Sequence, residues 1–369
     1  MQISSIQTLR ALAALSVVIG HAQAFIGLPM EKLGQTFTWS YLLPWGAGVD
    51  LFFVISGFIM VYASEKLFAA QGGAKIFLWR RLTRIAPLYW CATLLLLVKN
   101  AIQHKPPAEF PAIVASFLFI PFDSAGTGIP RPVYELGWTL NYEMFFYLVF
   151  ALCLFARREM AVTLAALALA VLVLLGAAFP AANPLWQVWT QPIILEFVLG
   201  MALSLAVRRQ FVLPGIWRFS LVLLGTAAIF HDFLQSQSQP HVWVTPNDLT
   251  RVAAWGIPAA MIMAGCVLKA ARVTRENYLL AAGKHLGDAS YALYLFHPLV
   301  LGAFSALWFA LGVNKWLPAG VGVAASVVLS VGVSLLVYRW FERPVTQFLQ
   351  RGSGARSLGP SAAAVAGER

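Results

Sequence analysis

Two side chains able to do chemistry stand eleven residues apart in a run that is otherwise almost wholly apolar. They are Arg10 and His21, separated by Ala11 to Gly20. On a helix, eleven residues turn through about 1100°, so both groups point the same way, roughly 16 Å apart along the axis. An ionisable group at mid-membrane costs about 3 kcal/mol or more, which makes it a functional-site candidate by default. A cation near one surface with a proton-transferring group three turns deeper suits a long ligand with an anionic end. The alternative is a surface anchor at Arg10 and a packed, hydrogen-bonded His21.

Three further clusters carry comparable chemistry. Arg80, Arg81 and Arg84 lie in Trp79–Trp90; their guanidinium forks suit phosphates, those of a ligand or those of lipid head groups. Glu143 lies in Gly137–Tyr147, about two turns inside its helix and five residues after Trp138. It has no basic neighbour in sequence. It is expected to orient His21 or bind a hydroxyl, or else to pair with Arg131 or Arg251. Tyr294 and His297 are three apart in Ser290–Pro298 and share a helix face. Pro298 frees a backbone carbonyl in the turn before it. These two form a second polar wall of one cavity, or packing glue between helices. Asp50 and Ser56, in Gly48–Phe58, are further candidates for that cavity. Gly48 and Gly57 read as points of close helix approach. Glu342 is expected to cap or pair at the surface. Trp39, Trp45, Trp138, Trp186, Trp189, Trp243 and Trp316 fall near one side. They read as an aromatic belt, with one or two available to stack on a sugar ring.

The elements that position these groups follow from composition. The chain is 60% hydrophobic and 11% charged, with mean hydropathy +0.74. Soluble proteins carry about a quarter charged residues, and a transmembrane barrel would show short alternating segments. The expected class is an all-α, polytopic membrane protein. About ten helices are predicted, at 6–27, 45–64, 78–102, 136–156, 160–178, 191–207, 216–233, 251–270, 287–311 and 317–341. The apolar stretch 111–122 is too short to span and reads as re-entrant or interfacial. With both termini cytoplasmic, 20 of the 26 Lys and Arg residues fall inside, while Lys32, Lys99, Lys105, Arg131, Arg251 and Lys315 fall outside. This positive-inside bias accounts for most of the net charge of +11, and nucleic acid is not needed to explain it. Ala22-Gln23-Ala24 resembles a signal cleavage site, but retention of the first helix is the expectation. Residues 1–345 read as one membrane domain and 346–369 as a disordered cytoplasmic tail. Cys91, Cys153 and Cys266 have neither metal-ligand nor disulfide spacing, and no metal is expected.

These blocks, in this order, resemble the membrane acyltransferase-3 family: Ile6–His21, Gly48–Phe58, Arg80–Trp90, Trp138–Tyr147, Ser290–His297 and Phe341–Pro344. The first two are most similar to bacterial exopolysaccharide O-acetyltransferases. The resemblance implies acyl transfer, usually of acetyl, from cytoplasmic acyl-CoA to a carbohydrate hydroxyl across a bacterial inner membrane. His21 and Glu143 would be catalytic. Arg10, Arg80, Arg81 and Arg84 would hold the CoA phosphates. Asp50, Trp138, Tyr294 and His297 would meet the acceptor. Whether His21 acts as base or carries the acyl group stays open at this stage. Implied partners are a polysaccharide or lipid-linked glycan, membrane lipids and polysaccharide-synthesis machinery. The contrasting class is a proton-coupled transporter or flippase, with His21, Glu143 and His297 as a proton relay.

Overall fold

In a computed structural model of the protein, residues 4–37, 44–123, 130–180, 183–236, 248–270 and 278–351 are described. Trp39, Trp243 and the expected tail from 352 onward lie outside these residues. All regular structure among them is helical: α1 Ser4–Lys32, α2 Ala47–Ala63, α3 Gly73–Ile102, α4 Phe110–Phe117, α5 Glu135–Cys153, α6 Arg158–Ala178, α7 Pro184–Trp189, α8 Leu195–Arg208, α9 Gly215–Ser236, α10 Leu249–Val267, α11 Tyr278–Asp288, α12 Ser290–Ala310 and α13 Ala319–Arg351.

Each expected segment overlaps a helix, but length and apolarity support fewer crossings than ten. Seven helices are long and apolar enough to cross a membrane: α1, α3, α5, α6, α10, α12 and α13. Shorter apolar helices occupy Ala47–Ala63 and Gly215–His231. Helix α8 has only 14 residues, with a buried glutamate in its first turn. The chain is a multi-pass helical membrane protein. Helices α6 and α13 bury only 28% and 22% of their apolar windows, against 61% in α5, so α5 is central and the other two are peripheral.

Several boundaries differ from expectation. Helix α1 runs on through Pro29 to Lys32 rather than ending at 27, and α3 opens at Gly73 rather than 78. The predicted segment 287–311 takes in the end of a separate helix: α11 closes at Asp288 and α12 opens at Ser290. Residues 346–351 are helical rather than tail. A π-helical turn at Tyr338–Glu342 leads into a last helical stretch, Arg343–Arg351. That stretch packs back on α3, where Trp79 Nε1 donates to the Leu349 carbonyl at 3.3 Å and Gln350 Nε2 to Thr83 Oγ1 at 3.2 Å. The short apolar stretch is α4, tied down by Trp90 Nε1 donating to the Phe117 carbonyl at 2.9 Å.

Helix α1 touches α2, α10, α11, α12 and α13, so Arg10 and His21 run through the middle of the bundle. Helix α2 is wedged between α1 and α8 by backbone contact. A Cβ at Gly57 would meet the Phe197 carbonyl, and one at Gly200 would meet the Val54 carbonyl. The same holds for Gly48 against Ala13 and Ser16 of α1. Small residues at such crossings let dispersion and weak polar contacts replace the hydrophobic drive that lipid cannot supply. Gly57→Ala is therefore expected to destabilise the fold by about 1–3 kcal/mol, the usual cost of overpacking. Thermal unfolding in detergent measures this. An unchanged midpoint would show that α2 and α8 separate freely.

Candidate active site

The central polar contact joins α1 to α12. His297 Nε2 lies 3.1 Å from His21 Nδ1. His21 Nδ1 also lies 3.0 Å from the Val17 carbonyl, and His297 Nδ1 lies 3.0 Å from the Leu293 carbonyl. Carbonyl oxygens only accept, so each Nδ1 carries a proton when both rings are neutral. His297 Nε2 then accepts from His21 Nδ1–H. The lone pair of His21 is left on Nε2, which has no hydrogen-bond partner among the described residues. His297 is fully buried behind it. Pro298 interrupts the helix ladder of α12 and leaves the Tyr294 carbonyl without its backbone donor. In the turn before it, Leu293 receives His297 Nδ1 and the Leu295 carbonyl receives the Tyr134 hydroxyl.

Two cavities enter the bundle from opposite ends. One, of about 100 Å³, is lined by Arg10, Arg81 and Arg84 together with Ser56, Glu143 and Tyr147. The other, of about 510 Å³, is lined by His21, Trp45, Trp138, Lys99 and Arg251 among others. Val49 and Tyr294 border both. The Tyr294 hydroxyl is held 3.0 Å from Thr139 Oγ1. A septum one or two side chains thick therefore separates an arginine-lined cavity from a histidine-lined one.

Arg10 is buried, and its guanidinium donates to Gln7 Oε1 at 3.4 Å; Gln7 in turn donates to Asp288 of α11 at 2.8 Å. Arg81 and Arg84 join Arg10 in the cavity wall. Arg80 does not: its backbone carbonyl receives Gln350 Nε2 at 3.3 Å, and it stands outside the lining. Glu143 is also displaced from its expected place. It sits in the arginine cavity, accepting from Ser56 Oγ at 2.9 Å and from the Tyr147 hydroxyl. It pairs with neither Arg131 nor Arg251, and the partner of His21 is His297. A proton relay through His21, Glu143 and His297 is thus not assembled.

Asp50 is no cavity residue. It is fully buried and takes a two-pronged ion pair from Arg251 of α10, with Nε to Oδ1 at 2.8 Å and Nη2 to Oδ2 at 2.9 Å. Fork geometry of this kind is strong and directional. Trp138 and Trp255 stack on the same guanidinium at 5.9 and 5.2 Å. Arg131 is satisfied by Glu135, one helical turn on. Trp138 lines the histidine cavity, and Tyr294 lines both. The sequence reading missed Tyr147 as a partner of Glu143 and Trp255 in the cavity wall, and it put Glu342 at the surface. That last carboxylate is buried rather than at the surface, and it acts electrostatically on Arg84 and Arg10. Among the described residues, no group of three or more His, Cys, Asp or Glu comes together to hold a metal ion.

A multi-pass bundle with a basic cavity at one end, a histidine cavity at the other and a thin wall between is the layout of a membrane enzyme with two substrates. The chain belongs to the acyltransferase-3 family, whose acyltransferase domain matches residues 3–339. It is an O-acyltransferase. It is 32% identical to the exopolysaccharide production protein ExoZ of Rhizobium meliloti (strain 1021), covering 88% of this chain and 95% of the relative. It is 25% identical to the acyltransferase MdmB of Streptomyces mycarofaciens, covering 95% and 93%. Nodulation protein 10 of Rhizobium leguminosarum bv. viciae is 27% identical over 87% and 89%. No solved structure matches.

The geometry of Asp50 calls for a structural rather than a substrate-binding test. Asp50→Ala leaves Arg251 buried without its counter-charge, and breaking such a pair costs about 3–5 kcal/mol. The expected result is a large fall in thermal stability of the purified protein. A stable Asp50→Ala variant with weakened acceptor affinity would restore the sequence reading.

Proposed function

We propose that the protein transfers an acetyl group from cytoplasmic acetyl-CoA to a hydroxyl of an extracytoplasmic or lipid-linked polysaccharide, at the inner membrane of a bacterium. The observation that carries this reading is the pair of cavities meeting at Val49 and Tyr294. The exopolysaccharide role printed for the Rhizobium meliloti relative supports the acceptor class. The basic cluster Arg80, Arg81 and Arg84, joined by Arg10 at the same end of the bundle, supports an orientation with these residues on the cytoplasmic side.

The donor's phosphates meet Arg10, Arg81 and Arg84, whose forks suit them. A cavity of about 100 Å³ is far too small for the nucleotide, which stays at the mouth; the acyl-pantetheine arm enters as the wall side chains give way. Glu143, fixed by Ser56 and Tyr147, puts a negative charge farther in and repels phosphates from going deeper. The acceptor enters the larger cavity, where tryptophan faces suit a sugar ring. His21 Nε2 takes the proton of the acceptor hydroxyl as its oxygen bonds to the acyl carbon. The carbon–sulfur bond breaks, and the departing CoA sulfur receives that proton. His297 keeps the Nδ1 proton of His21 in place, so the basic lone pair faces the cavity. In this reading Tyr294 guards the meeting point.

Labelled acetyl-CoA offered with polysaccharide to protein in lipid nanodiscs tests the proposal. His21→Ala is expected to lower transfer by about 10²–10⁴-fold, the usual share of general-base action, while CoA still binds. Arg10→Ala and Arg84→Ala are expected to raise the KM for acetyl-CoA. Near-normal turnover in His21→Ala removes His21 from the mechanism, and an unchanged KM in the arginine variants removes the donor assignment.

Orientation is tested separately with single-cysteine variants and a membrane-impermeant thiol reagent. Cysteine replacing the exposed Lys105 is expected to react in intact cells; cysteine replacing the exposed Lys75 is expected to react only after permeabilisation. The opposite pattern overturns the two-sided scheme.

A further inference from the structure

Lys99 stands in the last turn of α3 and lines the histidine cavity. A lysine at such a place ordinarily snorkels toward head groups. Lys99 turns inward instead: its Nζ lies 3.6 Å from where a Cβ of Gly302 on α12 would stand. The missing side chain at Gly302 leaves room for the ammonium. The other cations of this cavity are already answered, Arg251 by Asp50 and Arg131 by Glu135. Lys99 makes no ion pair among the described residues. The cavity therefore holds one cation in excess, inside a wall that carries Trp45, Trp138 and Trp255.

His21 lines the same cavity as Lys99. Phe25, one turn beyond His21 on α1, lines it too, and the same Cβ point at Gly302 lies 3.4 Å from Phe25 Cε1. An unpaired, partly desolvated ammonium in the cavity that holds the basic nitrogen favours a ligand that brings its own negative charge.

We propose that Lys99 forms an anion subsite, and that the preferred acceptor carries a carboxylate or phosphate that enters the cavity together with the acylated hydroxyl. This rests on the reading of the His21 cavity as the acceptor site. The anion belongs either to an acidic sugar or to the phosphate of a lipid carrier.

The test uses the full chain in nanodiscs with acetyl-CoA and three matched acceptors: a neutral glucose oligosaccharide, the same oligosaccharide bearing one glucuronate, and the same oligosaccharide on polyprenyl phosphate. The wild type is expected to show a KM about tenfold lower for an anionic acceptor than for the neutral one, as one charge-assisted hydrogen bond would give. Lys99→Met is expected to close that gap and Lys99→Arg to keep most of it. Preference for the glucuronate alone assigns the charge to the sugar; preference for the lipid phosphate alone assigns it to the carrier. Equal KM values across the three acceptors, or a gap that survives in Lys99→Met, overturn the proposal. Binding is read separately, without donor, from quenching of tryptophan fluorescence by the soluble oligosaccharides. Glucuronate-selective quenching lost in Lys99→Met, with no acyl transfer to any acceptor, keeps the anion subsite and sinks the transferase assignment of the cavity. Absence of selective quenching together with absence of transfer overturns both.

Discussion

Asp50 and Arg251 are 201 residues apart in sequence and meet in the bundle interior as a fork-to-carboxylate pair. The contact ties α2 to α10. Isolated, either charge would be prohibitively costly at that depth; together, with tryptophan faces over the guanidinium, they form a fixed strut. Much of the site hangs from it. Helix α2 carries Val49 at the border of both cavities and Ser56 against Glu143. Its other faces are locked by glycine crossings to α1 and α8, where backbone meets backbone. The buried carboxyl of Glu196 on α8 lies against Gly256 of α10, beside the same ion pair. The position of α2 is therefore set on three sides before any ligand arrives.

The fold class was legible in the sequence because hydropathy is a local property. Apolar runs announce helices, and Pro184, Pro298 and Pro318 mark their starts or interruptions. The number of crossings was less legible. Helices such as α8 are apolar because they are buried in protein, which hydropathy does not distinguish from burial in lipid. The break at Ala289 was hidden because α11 and α12 are separated by one residue.

The site was legible in its residue types and only partly in their pairing. The spacing of Arg10 and His21 suggested one long site along a single helix; the structure puts Arg10 in one cavity and His21 in another. The role of Asp50 was misread because its partner lies on a distant helix, and no local pattern marks Arg251 as that partner. The surroundings of Glu143 were not legible for a similar reason: the face it presents is set by Ser56 of another helix and by Tyr147. Arg80 and Arg84 share a helix face by spacing, but the terminal stretch of α13 packs on α3 beside Arg80. The contact between the two histidines had a sequence trace in the polar residues of α1 and α12. Its geometry depended on how α1 and α12 pack against each other, which no local pattern reports.

The septum at Val49 and Tyr294 has an electrical consequence. Filled with water, two cavities that reach toward each other act as conductors, and the thin wall between them as the dielectric of a capacitor. A membrane voltage then falls mostly across that wall rather than across the whole bilayer. A charge crossing the full drop would do work of about 2.3 kcal/mol per 100 mV. A neutral group passing from one cavity to the other does none. The same wall that keeps ions from leaking through the bundle thus leaves passage of an uncharged fragment insensitive to the energised state of the membrane.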